Sequence, residues 1–371
     1  NFRIWDIELS LDQVNQLINQ DSSFNDSNII VDWNFNSGQA YILDMSGGQN
    51  HGLINGATWV DRNPNEHLVP QEFSTIQEAI DYSSDGDTVL VSSGTYYEEL
   101  FINNKNITLV GESSENTILN GSSSTRLVNI INSENNVILQ NISIVNGLAS
   151  GDGSNGYGGG ILVENSSVQL KDLSVKNCEA SDKGAGLWVS SGSEVVIHDT
   201  SISNNIATGS GTSGGGIGCT QSDLSISQSI INNNYARDAG GIYFANGILN
   251  IDRSTIVRNG AHGTFFNTSA GVYTINSSNN IINTIIYDND MGVPDVLFQD
   301  SDTNISYSNI EGGFEGEGNI DLSPIFVDAD NTNYSLSSSS PCIDSGDPSS
   351  ELDPDGTRAD MGGYPFFQIT G

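Results

Sequence analysis

GGGILVENSSVQLKDLSVKNCEA (158–180), GAGLWVSSGSEVVIHDTSISNNIA (184–207) and GGGIGCTQSDLSISQSIINNNYA (214–236) carry one pattern three times. Each opens on small residues and an apolar strand. It then sets an apolar residue, a second one five positions on and an alanine five beyond that: Leu170/Val175/Ala180, Ile197/Ile202/Ala207 and Ile226/Ile231/Ala236. Outward from these copies the spacing begins at Leu139/Ile144/Ala149, continues through Ile251/Ile256/Ala261 and a degenerate Ile281/Ile286/Met291, and closes at Ile305/Ile310. Successive starts lie 24 to 31 residues apart. Self-similar units of this size cannot bury an apolar face alone and must stack on their neighbours.

Each copy reads as three short strands with tight corners between them: a Gly-rich first strand (GGGILV, GAGLWV, GGGIGC, GGIYF, AGVYT), a second (SVQLKD, EVVIHD, DLSISQ, ILNID) and a third (LSVKN, TSISNN, SIINNN, TIVRN). Three strands per coil, each bonded to the coil above and below, make a parallel β-helix. At ~4.8 Å per coil, roughly ten coils are expected between Thr88 and Ile310. Side chains alternate along a strand, so Ile161, Leu187, Ile217, Ile242 and Val272 face the core while Leu162, Trp188, Gly218, Tyr243 and Tyr273 face solvent. Asn146, Asn177, Asn204, Asn233 and Arg258, followed by Gly147, Cys178, Asn205, Asn234 and Asn259, form two columns at the end of the third strand. Stacked asparagines bond side chain to side chain and hold a sharp corner, a scaffold role.

Composition agrees with many short strands: of 371 residues, 41 are Gly and only 8 are Pro. Eleven basic against 46 acidic residues give a net charge of −35. That field repels phosphate backbones and excludes nucleic acid as a partner. Three scattered cysteines, Cys178, Cys219 and Cys342, form neither a disulfide framework nor a zinc site and read as buried thiols. No apolar run is long enough to span a membrane. The opening at Asn1, with no start Met, reads as part of a longer chain.

Four segments are expected. Residues 1–66 hold three of the four tryptophans and lack the repeat. Within 67–87, STIQEAIDYSSDGD carries Ile76, Ala79 and Ile80 on one helical face, and Ser74 with Gln77 forms a capping box. A helix here would cover the open end of the first coil. Residues 88–325 are the coil stack, and 326–371 a C-terminal closing segment.

The stretch VPQEFSTIQEAIDYSSDGDTVLVSSGTYYEELFINNKNITLVGESSENTILNG (69–121) resembles the N-terminal part of right-handed parallel β-helix proteins of the pectin-lyase-like superfamily. NYSLSSSSPCIDSGDPSSELDPDGTRADMGGYPFF (333–367) is similar to the closing segment of secreted, multi-modular bacterial members. The fold class implied is all-β, a right-handed three-strand parallel β-helix with an N-terminal capping helix and a small N-terminal β segment. FRIWDIELSLDQVNQLI (2–18) and IVDWNFNSGQAYILDMSGGQNHGLINGATWV (30–60) resemble parts of laminin-G/concanavalin-like modules, and the segment reads as a fragment, a remnant docked on its neighbour or the join to an upstream module. Self-association or filament assembly, by completing a jelly roll in a neighbouring molecule, is left open. The GGGI and GAGL copies also resemble polymorphic outer-membrane adhesins.

Three sets of candidate site residues follow. Trp188, Tyr243 and Tyr273 could stack sugar rings as a substrate-binding platform. Beside them emerge the uneven loops between the third strand and the next first strand, at 149–158, 180–184, 207–214, 236–240, 261–271 and around 291–300. Insertions clustered on one face are where repeat proteins place recognition. For elimination chemistry, Arg237 and His262 are the candidate catalytic bases, with Asp238 and Asp182 as calcium ligands. The Trp-x-Asp-His and Arg-x-Pro-x-x-Arg signatures of pectate lyases and the polygalacturonase series are absent. Asp353, Asp355 and Asp360 in DPDGTRAD form a candidate calcium loop, weighed against a turn stapled by its own side chains. His198-Asp199 reads as solvated decoration. The expectation is a secreted or cell-surface module that binds polysaccharide or cell-surface glycan, or serves as a rigid spacer, with calcium the only cofactor suggested. The alternative is a polysaccharide lyase or glycoside hydrolase with an atypical site.

Overall fold

The computed structural model describes residues 2–6, 8–10, 29–33, 41–42, 52–53, 63–209, 211, 213–262, 268–289 and 292–368. The chain divides into two compact units, 1–63 and 64–371. In the first, Phe2–Trp5 pairs antiparallel with Ile29–Trp33, and Tyr41–Ile42 with Gly52–Leu53. The rest of the laminin-G-like reading lies outside the described residues.

In the second unit the repeat becomes in-register parallel pairing. Sheet A, from the first strands, has eight strands running from Leu100–Asn103 to Val296–Gln299. Sheet B has ten, from Glu66–Val69 to Asp302–Ser306, and sheet C nine, from Gly94–Tyr96 to Asn309–Ile310. Since the smallest of the three has eight strands, the stack holds eight full turns, with partial turns at its N-terminal end. The apolar positions picked out by spacing are aligned partners: Leu139, Leu170 and Ile197 on sheet B, and Ile144, Val175 and Ile202 on sheet C. They belong to one continuous core cluster.

Two boundaries differ from expectation. Glu66–Val69, across the expected border between 66 and 67, pairs in parallel with Thr88–Val91 as the first strand of sheet B. The helix Ile76–Tyr82 is capped one residue later than expected. Thr75 Oγ1 accepts from the Glu78 N–H (3.1 Å), and the Glu78 carboxylate accepts from the Thr75 N–H (3.3 Å). Glu98 from the next corner accepts from the N–H groups of Ile76 and Gln77 (both 3.0 Å), so the helix N-terminus is satisfied by the solenoid itself. Its apolar face, Ile76, Ala79 and Ile80, joins the core beside the end strands of sheets A and B.

A fourth narrow sheet, D, was not anticipated. The alanine column closes each of five coils with a two-residue strand, Leu148–Ala149 to Gly260–Ala261, with Ala149, Ala180, Ala207 and Ala236 packed inward. Two-residue strands carry too few side chains to show a period of two.

In the six coils whose first strands begin at Val128, Ile161, Leu187, Ile217, Ile242 and Val272, each of the three corners uses a residue in the left-handed region. Asn165, Asp172 and Asn177 do so in one coil with φ of 47°, 51° and 57°; Gln221, Gln228 and Asn233 repeat this two coils on. Asn and Asp tolerate this conformation best among non-glycine residues. Behind each corner runs a hydrogen-bonded ladder. Asn205, Asn234, Asn259 and Asn289 are buried, and the Nδ2 of each of the first three donates to the Oδ1 of the next at 2.9–3.0 Å. At the corner between sheets A and B, Ser133, Ser166 and Ser193 N–H groups donate to the Oγ atoms of Ser166, Ser193 and Ser222. At the corner between B and C, Thr200, Ser229, Ser254 and Thr284 do the same.

The C-terminal segment does not simply follow the last coil; it doubles back along the outer surface of sheet C. Tyr334 packs on Ile230 and Val257, while Leu336, Cys342 and Met361 pack on Ile285. Arg258 donates to the Ala329 carbonyl and the Asp330 carboxylate (both 2.8 Å), and Thr255 Oγ1 accepts from the Gly363 N–H. All three cysteines are free and buried. Burial pushes the Cys178 thiol up to about 12 and the Cys342 thiol up to about 11.

Candidate functional site

The register of sheet A aligns Leu162, Trp188, Gly218, Tyr243 and Tyr273 in one outward column, as alternation requires. Outward does not mean open. Trp188 is 3% and Tyr273 4% exposed, so the expectation of a bare platform of three rings is corrected. Loop 149–158 folds over Trp188.

Arg126 is the device that closes the N-terminal part. Its guanidinium donates to the carbonyls of Tyr157 (2.8 Å) and Gly158 (3.1 Å), to the carbonyl of Ser154, and to Asn129 Oδ1 (2.8 Å). Burial lowers its pKa, with Glu99 and Glu164 acting against that. Loop 149–158 is thereby pinned across sheet A, and Tyr157 lies on Trp188 with ring centroids 4.8 Å apart. The Lys183 ammonium sits 5.6 Å from both ring centres. Trp188 in turn leans over Gly218, where an added Cβ would come within 2.6 Å of the indole. Burial first, then the Asp182 charge and hydrogen bond, raise the Tyr157 phenol.

The C-terminal part of the column keeps one ring accessible. Tyr243 is half-buried and meets Tyr273 edge-on at 5.7 Å. Tyr273 itself is held by its hydroxyl, which donates to Gln299 Oε1 (2.9 Å). Asp238 lies near both phenols and contributes to raising both pKa values, after burial. Its carboxylate accepts from Ser213 Oγ (3.4 Å) and pairs with Arg237 Nε (3.5 Å). Burial raises the Asp238 carboxyl, while Arg237, Ser213 and His262 pull it down. Tyr243, Asp238, Arg237 and Ser213 thus combine an aromatic surface with donors and acceptors of both signs, a set suited to polyhydroxyl ligands.

Arg237 and His262 sit in consecutive loops as expected, both feeling the same carboxylate. Their commitments differ: Arg237 is ion-paired to Asp238, whereas exposed His262 stacks on Tyr235 at 5.1 Å and has Nδ1 3.1 Å from the Ala236 carbonyl. Asp182 is instead tied to Tyr157.

Asp353, Asp355 and Asp360 each accept from backbone N–H groups. Asp353 accepts from the Asp360 N–H (2.8 Å), Asp355 from the Thr357 and Gln368 N–H groups, and Asp360 from those of Asp344 and Phe366. Among the described residues no three His, Cys, Asp or Glu side chains gather as a metal site. The backbone bonds of Asp353, Asp355 and Asp360 staple the turn through its own aspartates, the second of the two readings weighed from the sequence. His198 is decoration: its ring bonds Ser227 and Asp199 on the outer surface of sheet B.

Residues 159–319 match the family model described as right handed beta helix region. The coil stack of the second unit is a right-handed parallel β-helix. No curated protein matches the sequence significantly. Among solved structures, a pectin methylesterase in complex with a hexasaccharide is similar at 15% identity, covering 76% of this chain and 99% of its own, with a TM-score of 0.40. A pectin methylesterase from Yersinia enterocolitica (15%, 68% and 94%, 0.38) and the pectate lyase Pel9A (16%, 79% and 90%, 0.37) are similar in the same measure. Among the described residues of the β-helix, no helix is long and apolar enough to cross a membrane.

Proposed function

We propose that this β-helix is an extracellular or surface-borne module that binds polysaccharide along the outer surface of sheet A, between the edge loops. The observation that carries this reading is Tyr243: a half-buried ring on an otherwise covered column, braced edge-on by Tyr273, with Asp238 beside it. Aromatic faces pack the C–H surface of a sugar, and flanking carboxylate, guanidinium and hydroxyl groups bond its hydroxyls. A net charge of −35 favours a neutral glycan over a polyanionic one, because a polyuronate would approach against the field.

Recognition is favoured over cleavage by how the candidate bases are engaged. Arg237 holds Asp238, and His262 is parked on Tyr235 with one ring nitrogen at a carbonyl. Affinity electrophoresis of the full chain in gels cast with neutral polysaccharides and polyuronates tests this. Retardation lost in Tyr243→Ala, with no ultraviolet-absorbing unsaturated product with or without calcium, is the expected result. Product formation abolished by Arg237→Ala would overturn the reading in favour of a lyase.

A further inference from the structure

Where the C-terminal segment folds back, it does not close flush on the corner between sheets B and C. A cavity of about 270 Å³ remains between Gln228 and Arg253 on one side and Glu351–Pro354 with Asp360–Pro365 on the other. At about 30 Å³ per water, that is room for roughly nine waters, more than a packing defect leaves.

The side chains facing it are under-used. Arg253 donates through Nη2 to the Glu351 carbonyl (2.9 Å). Its Nε is buried without a hydrogen-bond acceptor; the nearest carboxylate, Asp252, stands at 4.0 Å, which is an ion pair but not a hydrogen bond. A guanidinium carries five donors, and leaving them unmet in a buried place is costly. The Gln228 amide makes no side-chain hydrogen bond among the described residues, and Asp353, itself buried, spends only Oδ2, on the Asp360 N–H. Pro354, Leu352 and Pro365 supply an apolar wall.

We propose that this cavity binds a single neutral sugar ring, whose oxygens accept from Arg253 and Gln228 and whose hydroxyls donate to Asp353. Charge decides between ligand classes. A phosphate or uronate would meet one guanidinium but three carboxylates, Glu351, Asp353 and Asp360, whereas a cation would meet the guanidinium. A polyol satisfies donors and acceptors together and brings no charge into the seam. The site lies on the corner between sheets B and C, apart from the sheet A column, and stands without the reading of that column.

The test is saturation-transfer NMR and calorimetry on the full chain with neutral hexoses, galacturonate and inorganic phosphate as probes. Neutral hexose binding is expected, weakened at least about tenfold in Arg253→Gln and about threefold in Gln228→Asn. The second variant keeps a residue tolerant of the left-handed corner and touches no hydrogen bond of the fold, so it decides the matter if loss of Arg253 loosens the tail. Tyr243→Ala should leave this binding unchanged. Hexose binding lost in Tyr243→Ala but kept in Gln228→Asn would move the ligand to sheet A and overturn the proposal. Preference for phosphate or galacturonate, or no hexose binding at all, would overturn it as well.

Discussion

Truncating one rung of the asparagine ladder measures how much of this fold rests on buried amides. Asn234 Oδ1 accepts from the Asn205 N–H (3.0 Å) and Asn205 Nδ2 (2.9 Å), and its own Nδ2 donates to the Ile202 carbonyl (2.9 Å) and Asn259 Oδ1 (3.0 Å). Asn234→Ala deletes all four bonds. Asn205 Nδ2 keeps the Val175 carbonyl, and Asn259 Oδ1 keeps the residue 234 N–H, but the buried Asn205 N–H is left with no acceptor. One orphaned donor at about 1–3 kcal/mol and three lost bonds at about 1 kcal/mol each give a cost of about 4–6 kcal/mol. The control is Asn204→Gly, one residue before the ladder, exposed and at φ 55°, where glycine is at ease; it should cost less than about 0.5 kcal/mol. Because coils of a solenoid open semi-independently, urea melts should be read with amide hydrogen exchange, which should accelerate first at Asn205 and Cys178. A loss under about 1 kcal/mol, or one equal to the control, would show that the ladder only decorates a stack held by its aliphatic core.

Two further outcomes follow from the same contacts. The ladder ends on Asp295, whose Oδ2 accepts from Asn289 Nδ2 (2.9 Å) and whose carboxyl burial raises from 3.8 to about 6. A folded value above the unfolded one means the folded state holds the extra proton between these limits. Stability from this group is therefore full below 3.8 and lost as pH rises through about 6, by up to about 3 kcal/mol. Thermal melts should show Asp295→Asn, which keeps the acceptor, more stable than the parent at pH 7 and flatter across this window; Asp87, lowered chiefly by His67, works in the opposite sense and stays in both proteins. Arg126→Ala removes the clamp on loop 149–158, and should speed proteolysis within 150–156 and raise acrylamide quenching of Trp188 emission, with unfolding in urea shifted by less than the ladder variant.

The columns of the fold were legible because a solenoid repeats each burial decision coil after coil. Leu139 to Ile305 and Ile144 to Ile310 could be aligned by spacing and are aligned by pairing. The serine and threonine ladders were not read, since a serine beside a corner is what any turn would carry. The returning C-terminal segment had left a sign: third strands earlier in the chain place Ser174, Lys176 and Ser201 outward, whereas later ones place Ile230, Val257 and Ile285 there, apolar on both faces. The site was legible in direction and not in exposure. Alternation set Trp188, Tyr243 and Tyr273 outward, but whether a loop covers them depends on Arg126, distant in sequence and unremarkable in it.

Hydroxyl-radical footprinting of the full chain, with and without the polysaccharide that retards it in affinity gels, tests the central claim most directly. The account predicts protection of Tyr243, and of residues in the loops at 180–184 and 236–240, with no change at Ile248 or Asn250 on the outer surface of sheet B. Protection confined to sheet B or to the N-terminal unit, with Tyr243 labelled equally in both samples, would contradict it.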